Sequence, residues 1–162
     1  NVIMQELMIR PAVLEDAESM FVLENSCFVT DKIPLRQIHY LLKKAKAINL
    51  VAEINEHVVA YCVCLTPLAP RPARLYSLAV SPEWQGNGIA EQLMKHLLSM
   101  LFSLGYRHCR LEVRQSQLNT QSLYQKLGFV KINHLPQYYE DGESALKMDI
   151  TLRDQSKLGV SR

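Results

Sequence analysis

The sequence of 162 residues lacks the features that place a protein in a membrane or on a nucleic acid. No apolar run approaches the ~18 residues that span a bilayer, and the N-terminus lacks the basic and then apolar order of a signal peptide. The formal charge is only +2, and Lys and Arg cluster only at Lys43, Lys44 and Lys46 on a predicted helix face. These absences predict a cytoplasmic protein that binds neither a membrane nor a nucleic acid.

Cysteine is scarce as well. The four cysteines, Cys27, Cys62, Cys64 and Cys109, lie in predicted helices or strands with apolar neighbours, which favours reduced core thiols over a disulfide scaffold. Cys62 and Cys64 share a strand face, but with only His57 nearby they fall short of the four ligands of a zinc site. No metal is expected.

The composition that is present suits one compact domain. The chain has a mass of 18.5 kDa, and 48% of its residues are hydrophobic while 21% are charged, which is enough apolar material for a substantial core. We expect the domain to cover residues 1–151, with 152–162 as a tail or linker of low apolar content. Residues 1–5 precede the first predicted strand and are expected to be an upstream extension.

Hydrophobic periodicity predicts seven strands and four helices in a mixed α/β (α+β) order. The predicted strands are 8–12, 48–54, 58–65, 73–80, 108–114, 129–135 and 144–150. The predicted helices are 14–28, 34–45, 89–104 and 119–128. One strand, the third helix and the next strand form a right-handed β-α-β unit, so this pair of strands runs parallel inside a sheet that is otherwise antiparallel.

The segment "QGNGIA" places Gly86 and Gly88 immediately before the third helix. The unpaired N–H groups of a helix start attract phosphate, and glycine allows a ligand to come close, although the same residues also suit a turn that binds nothing. A Rossmann site would need a third glycine at Glu91 and a β-α alternation from the start of the chain. A P-loop would need Gly-Lys-Ser/Thr, which does not occur.

Three motifs together resemble the GNAT N-acetyltransferases. The first runs from Gln85 to Ala90 and fits the family pattern Q/R-x-x-G-x-G/A, and the others are "LEVRQSQLNTQSLYQKLGF" and "YYEDGESALKM". The last two are similar to the RimI-type ribosomal-protein-alanine N-acetyltransferases and to GNAT domains fused to peptidases. The resemblance implies the GNAT fold, a mixed and mostly antiparallel sheet with a splayed parallel strand pair and helices on both faces. It also implies transfer of an acetyl group from acetyl-coenzyme A to a primary amine.

The resemblance further implies where coenzyme A binds, largely through backbone groups. These positions are Leu78, Ala79, Val80, Gln85, Gly86, Asn87, Gly88, Ile89, Ala90 and Glu91. An amide near Leu78 would polarise the thioester carbonyl. In RimI-type proteins the Ser that matches Ser116 is usually followed by an Asn whose side chain contacts coenzyme A. This chain instead has Gln117 at that position and Asn119 two residues on. The contact is therefore assigned to Gln117 or Asn119.

Two residues are the candidates for catalysis. Acetyl transfer to an amine needs a base for the ammonium and an acid for the departing thiolate. Strand alternation places Glu112 on the face opposite Leu111 and Val113, where it could simply be balanced by its arginine neighbours. The resemblance assigns Glu112 as general base and Tyr124 as general acid, although a tyrosine on a short helix could also only pack.

The acceptor is expected to be a protein N-terminal amine, with a small amine, an antibiotic or a lysine side chain as rivals. Tyr138 and Tyr139 match the wall of the acceptor pocket in the family, and Phe28 is a further candidate. The acidic residues near them, at 140, 141 and 143, would suit a cationic acceptor or would be solvated charges. A coenzyme A-binding regulatory module without turnover is the non-enzymatic alternative, and both a monomer and a homodimer are compatible with the sequence.

Overall fold

The computed structural model describes residues 6–154, so the predicted upstream extension at 1–5 and positions 155–162 of the predicted tail lie outside the described residues. The strands are β1 Met8–Pro11, β2 Ala47–Ile54, β3 His57–Leu65, β4 Ala73–Val80, β5 His108–Arg114, β6 Val130–Leu135 and β7 Ala145–Thr151. The helices are α1 Ala17–Cys27, α2 Leu35–Lys43, α3 Ile89–Ser103 and α4 Leu118–Leu127. The predicted order is confirmed, with ends that differ by at most three residues. The core continues just beyond β7, because Leu152 is buried and its N–H donates to the Arg107 carbonyl at 2.9 Å.

The strands form one mixed sheet in the order β1-β2-β3-β4-β5-β7-β6. Every neighbouring pair is antiparallel except β4 and β5, which are parallel. The crossover helix α3 joins this pair, as a parallel connection requires. The predicted fold class is therefore confirmed.

Each face of the sheet carries its own apolar cluster. One cluster joins α3 and α4 to the sheet through residues such as Leu93, Leu97 and Phe129. The other joins α1 and α2 to the opposite face through Met20, Ile38 and others. The central strands β2 and β3 are covered on both faces, which explains why their sequences are almost continuously apolar instead of alternating.

One half of the sheet is covered on a single face only. On the α1/α2 side, α1 packs mainly on β3 and β4, and α2 packs on β2. The corresponding face of β5 and β7 therefore carries polar, partly exposed side chains, including Arg110, Glu112, Lys147 and Asp149. This polar face adjoins the point where the parallel pair separates.

The parallel strands β4 and β5 pair over only two positions, Ala73 with Cys109 and Arg74 with Arg110. Beyond Arg74 the two strands diverge. A β-bulge contributes to the divergence, because Ser77 pairs with Val63 and Leu75 pairs with Cys64, which leaves Tyr76 as an extra residue in β4. The predicted splayed pair is thus present, and the backbone of β4 after Arg74 has no strand partner on the β5 side.

The described part of the chain also bears on the expected absences. No helix among residues 6–154 combines the length and the apolar character that crossing a bilayer requires. Over the same range, no group of three or more His, Cys, Asp or Glu side chains is arranged to hold a metal ion. All four cysteines are free, three of them fully buried and Cys27 half-buried.

Candidate active site

The opening between β4 and β5 exposes backbone groups of β4 that the sheet does not use. The Ser81 N–H donates to the Val59 carbonyl of β3 at 2.8 Å, whereas the Val80 carbonyl points away from β3 and accepts from Gln85 Nε2 at 3.0 Å and Cys27 Sγ at 3.2 Å. Because alternate residues of a strand direct their N–H and C=O groups to the same side, those of Leu78 point into the opening as well. An extended ligand could add to β4 there as a further strand.

The glycine loop leads from β4 into α3. Gly86 and Gly88 have φ values of +85° and +78°, in the left-handed region that favours glycine, and a Cβ at either position would meet no atom within 4 Å. Asn87 closes the turn by donating from Nδ2 to the Trp84 carbonyl at 2.9 Å. No side chain caps the start of α3, so its first N–H groups have no side-chain partner within the described residues. Ile89 is buried in the core, so only its backbone is available to a ligand.

Glu91 lies in the first turn of α3, where its charge would oppose a bound anion. Its carboxylate binds Lys95 and Lys126, each at 3.1 Å. Hydrogen bonds, first from Lys126 and then from Lys95, hold the pKa of Glu91 below its ordinary value. The two lysines offset the negative charge at this helix start and tie α3 to α4.

Glu112 lies on the polar face of β5, next to the opening. Its Oε1 atom is 3.0 Å from Arg74 Nε and 2.9 Å from Arg74 Nη2. Its side chain is only 10% exposed, and Lys147 lies directly opposite it on β7. The carboxylate is therefore held by Arg74 at the edge of β5, at the level where β4 departs.

Tyr124 lies on α4 in the cluster on the opposite face, packed edge-to-face against Phe129 with ring centres 5.5 Å apart. Burial raises the pKa of its phenol above the ordinary value, and Cys62 and Cys109 add to the effect. Its hydroxyl makes no hydrogen bond within residues 6–154. The phenol therefore keeps its proton at neutral pH, and no protein acceptor in this range competes for it.

The residues predicted to line the acceptor pocket lie on the side of the opening opposite Tyr124. Tyr138 is exposed and accepts a hydrogen bond from Arg74 Nη2 at 3.2 Å, and its ring meets that of Tyr139 edge-to-face at 5.0 Å. Burial raises the pKa of Tyr139 to about 12. Phe28 is partly buried and packs against the α1/α2 cluster. Arg74 thus connects the candidate base to one of the two tyrosines.

The acidic turn beside these tyrosines holds an arginine. Arg114 Nη1 lies 3.0 Å from Asp141 Oδ2 and 2.8 Å from Glu143 Oε1, while Nη2 donates to Thr30 Oγ1 at 2.8 Å and approaches Asp31 at 3.3 Å. Its guanidinium also stacks 4.1 Å from the centre of the Tyr139 ring. Arg114 therefore fastens the loop after α1 to the loop between β6 and β7.

Backbone contacts strengthen the same connection. The Asp31 N–H donates to Glu140 Oε1 at 2.8 Å, and the Ser116 N–H donates to Glu143 Oε2 at 2.8 Å. Asp31 has a φ of 56°, which few residues other than Gly, Asn and Asp adopt readily. The charges at 140, 141 and 143 thus also make contacts within the fold, and their attraction of a cationic acceptor stays a prediction.

Gln117 and Asn119 lie at the start of α4, and both are exposed. Gln117 precedes the first residue of the helix, and neither side chain makes a hydrogen bond within the described residues. Both amides remain available to a ligand. Their assignment to coenzyme A stays a prediction, as does that of every other site residue named from the sequence.

Sequence reasoning missed a buried carboxylate beside the site. Glu24 of α1 is 2% exposed and accepts hydrogen bonds from the Tyr61 hydroxyl, from Ser77 Oγ at 3.2 Å and from the Ile33 N–H at 2.9 Å. It joins α1 to β3, β4 and the loop before α2. The signal was a glutamate next to Leu23 on the apolar face of a helix, a place that is costly for a charge without partners.

Comparison with known proteins agrees with this fold. The profile of the Acetyltransferase (GNAT) family matches residues 12–129, which is most of the chain. The chain belongs to the GNAT acetyltransferase family. As a GNAT protein it is an acyl-coenzyme A-dependent N-acetyltransferase, and enzymes of this family use acetyl-coenzyme A and an amine acceptor.

Relatives of the GNAT protein share nearly its whole length. A Bacillus subtilis protein assigned to the ribosomal protein bS18-alanine N-acetyltransferases is 30% identical over 147 residues, covering 90% of this chain and 96% of the relative. The corresponding Haemophilus ducreyi enzyme is 32% identical over 133 residues, covering 82% and 88%. The crystal structure of the Escherichia coli ribosomal-protein-alanine N-acetyltransferase superposes with a TM-score of 0.83 at 24% identity and covers 90% of this chain and 94% of that one.

Proposed function

We propose that this GNAT enzyme acetylates the N-terminal α-amine of a protein, with Glu112 as general base and Tyr124 as general acid. The observation that carries the proposal is the placement of these two side chains on either side of the opening between β4 and β5. The choice of a protein N-terminus is supported by relatives that are named ribosomal protein bS18-alanine N-acetyltransferases.

The donor site is assigned to the opening and to the glycine loop. The diphosphate of acetyl-coenzyme A would be held by the backbone N–H groups from Gln85 to Glu91, where left-handed glycines leave the space open. The pantetheine arm would lie along Leu78 to Val80, where β4 has no strand partner on the β5 side. Gln117 and Asn119 offer amides to the coenzyme from the start of α4.

The proposed reaction is direct transfer in a ternary complex. Glu112 takes a proton from the ammonium through a water molecule, so that the neutral amine attacks the thioester carbonyl. A backbone N–H of β4 near Leu78 stabilises the charge that develops on the carbonyl oxygen. Tyr124 gives its proton to the departing thiolate, and its phenol is protonated at neutral pH.

An acetyl-cysteine intermediate has little support in the structure. Burial raises the pKa of the Cys27 thiol, and it raises that of Cys62 to about 12, so both thiols are poor nucleophiles at neutral pH. No cysteine in the described residues is hydrogen-bonded to a histidine that could activate it. Labelled acetyl retained on the protein after gel filtration would overturn the ternary mechanism.

The test is to incubate the purified protein with acetyl-coenzyme A and a library of peptides with free N-termini, alongside lysine peptides and small amines, and to follow thiol release. We expect turnover on free N-termini, and a Glu112→Gln variant is expected to lose about a hundredfold or more in kcat/KM while still binding coenzyme A. Tight coenzyme binding without turnover on any acceptor would favour a regulatory module, and a preference for lysine or for small amines would replace the proposed acceptor.

A further inference from the structure

Arg74 is the last residue of β4 that pairs with β5, and the opening begins just beyond it. Two of its guanidinium nitrogens, Nε and Nη2, contact the Glu112 carboxylate at 3.0 and 2.9 Å, and Nη2 also donates to the Tyr138 hydroxyl at 3.2 Å. The guanidinium carbon lies 5.9 Å from the centre of the Tyr76 ring. These contacts fix the orientation of the guanidinium beside the candidate base.

One edge of this guanidinium is not used. The contacts above involve only Nε and Nη2, and within residues 6–154 the Nη1 atom has no hydrogen-bond partner. The Arg74 side chain is 40% exposed, whereas that of Glu112 is 10% exposed. Nη1 therefore carries donors that no group in residues 6–154 uses, on a side chain that solvent reaches.

The other cations near Glu112 are placed differently. Arg110 is directly across from Arg74 but binds Asp149 at 3.0 Å, and Arg114 is held by the acidic turn. Lys147 lies on β7, on the side of Glu112 away from the opening. Tyr139 and Tyr138 face this region from the loop between β6 and β7. Among these groups, Arg74 alone combines contact with Glu112 and an unused donor at the opening.

The chemistry of the acceptor suggests what this donor binds. In a peptide N-terminus the carbonyl oxygen of the first residue lies about 3 Å from the amine nitrogen, whereas the amine of a lysine side chain has no neighbouring carbonyl. An amine that reaches Glu112 through one water molecule would bring that oxygen close to the Arg74 guanidinium, which contacts the same carboxylate. We propose that Arg74 selects acceptors in which a carbonyl group neighbours the amine, by donating from Nη1 to the carbonyl oxygen. This inference rests on the proposed function, with Glu112 at the amine.

The experiment compares two acceptors in each variant: a short peptide with a free N-terminus and the same peptide with its first carbonyl reduced to a methylene. Arg74→Met is expected to lower kcat/KM about tenfold for the normal peptide, mainly through KM, and less than twofold for the reduced one. Arg74→Lys should recover part of the loss because it restores a cationic donor. Arg110→Met, the matched control, should leave the ratio between the two acceptors unchanged.

Equal losses on both acceptors would overturn the inference, because Arg74 would then act only through Glu112. Unchanged rates on both acceptors would also overturn it. Coenzyme A affinity and the melting temperature report whether each variant is folded. If Arg74→Met does not fold, Arg74→Gln replaces it in the experiment. Glu112→Gln separates the two proposals: full turnover in that variant refutes the base, whereas loss in Glu112→Gln with no acceptor-dependent effect in Arg74→Met refutes the inference alone.

Discussion

The side chains of Glu112 and Tyr124 lie on opposite faces of the sheet, on the two sides of the opening between β4 and β5. Leu111 and Val113 join the cluster under α3 and α4, which also contains Tyr124, so Glu112 points to the other face. A reaction at the opening could therefore take its base from one face and its acid from the other. The sheet itself keeps the two proton-transfer groups apart.

Replacing the phenol should remove the proposed acid without disturbing the donor site. We expect Tyr124→Phe to lower kcat by about a hundredfold, because general acid catalysis typically contributes that much. The ring of Tyr124 packs against Phe129 and its hydroxyl has no protein partner among residues 6–154, so folding and coenzyme A affinity should hardly change. Steady-state kinetics and calorimetric binding measure the two quantities.

The matched control is Tyr106→Phe. That hydroxyl donates to the Pro67 carbonyl at 2.5 Å, outside the proposed site, so its loss should affect stability only. An unchanged kcat in Tyr124→Phe would eliminate the proposed acid.

The glycine loop offers a test that separates backbone strain from ligand space. Gly88→Ala forces a side chain into the left-handed region at a cost of about 1 kcal/mol, and its methyl group would occupy the space assigned to the diphosphate. We expect coenzyme A affinity to fall at least tenfold. Gly105→Ala, at the C-terminal end of α3 with a φ of +94°, should cost similar stability and leave affinity unchanged. A coenzyme A affinity in Gly88→Ala equal to that in Gly105→Ala would contradict the assigned donor site.

Arg114 should control the mobility of the two loops that it joins. Its contacts with Asp141 and Glu143 on one loop and with Thr30 on the other are charge-assisted but partly solvated. We expect Arg114→Met to speed amide hydrogen exchange about tenfold at Asp31 and neighbouring positions of both loops.

Arg110→Met removes a cation from the same strand face without touching these loops, and it should leave their exchange unchanged. Hydrogen exchange read by mass spectrometry distinguishes the two variants. Protection that persists in Arg114→Met would mean that backbone contacts alone hold the loops together.

The ion pair between Arg10 and Asp16 predicts a pH-dependent contribution to stability. Asp16 accepts from Arg10 at 2.8 and 2.9 Å and from the Val13 N–H at 2.7 Å; the Arg10 hydrogen bond is the main cause that lowers the pKa of Asp16 below 3.8. A carboxyl group whose pKa is lower in the folded than in the unfolded state stabilises the protein at pH values above the unfolded-state pKa. This stabilisation is lost as the pH falls through the folded-state pKa. We expect Asp16→Asn to cost about 1–2 kcal/mol at pH 7 and progressively less below pH ~4.

Urea unfolding across this pH range measures the free energy of unfolding. The exposed neighbour Glu15, changed to Gln, controls for the loss of a negative charge in the same turn. A cost in Asp16→Asn that did not diminish in acid would show that the pair contributes through packing rather than through charge.

Much of the fold was predictable because local patterns determine it. Apolar spacing gave the helices, and glycine marks the two ends of α3, before Ile89 and at Gly105. The predicted start of α1 at Leu14 was early, since a short 3-10 turn occupies Leu14–Asp16 and Asp16 binds Arg10. A contact between two elements, and not a local preference, sets that boundary. The cytoplasmic location and the oligomeric state remain predictions.

The candidate site was predictable only where it is local. The glycine loop, Glu112 and Tyr124 stand in contiguous motifs, whereas the partner of Glu112 is 38 residues away and Arg114 meets Thr30 across 84 residues. The buried Glu24 joins Tyr61 and Ser77 from other elements in the same way. No spacing rule connects such pairs.

The sequence by itself determined the order of strands and helices, the glycine turn before α3 and the alternation that separates Glu112 from Leu111 and Val113. These follow from backbone preferences and side-chain periodicity, which act over a few residues. Only the tertiary structure decided that Arg74 reaches Glu112, that Arg114 closes the acidic turn and that β4 leaves β5 after two paired positions. Those relationships depend on how the strands are packed side by side, and packing is a property of the whole chain.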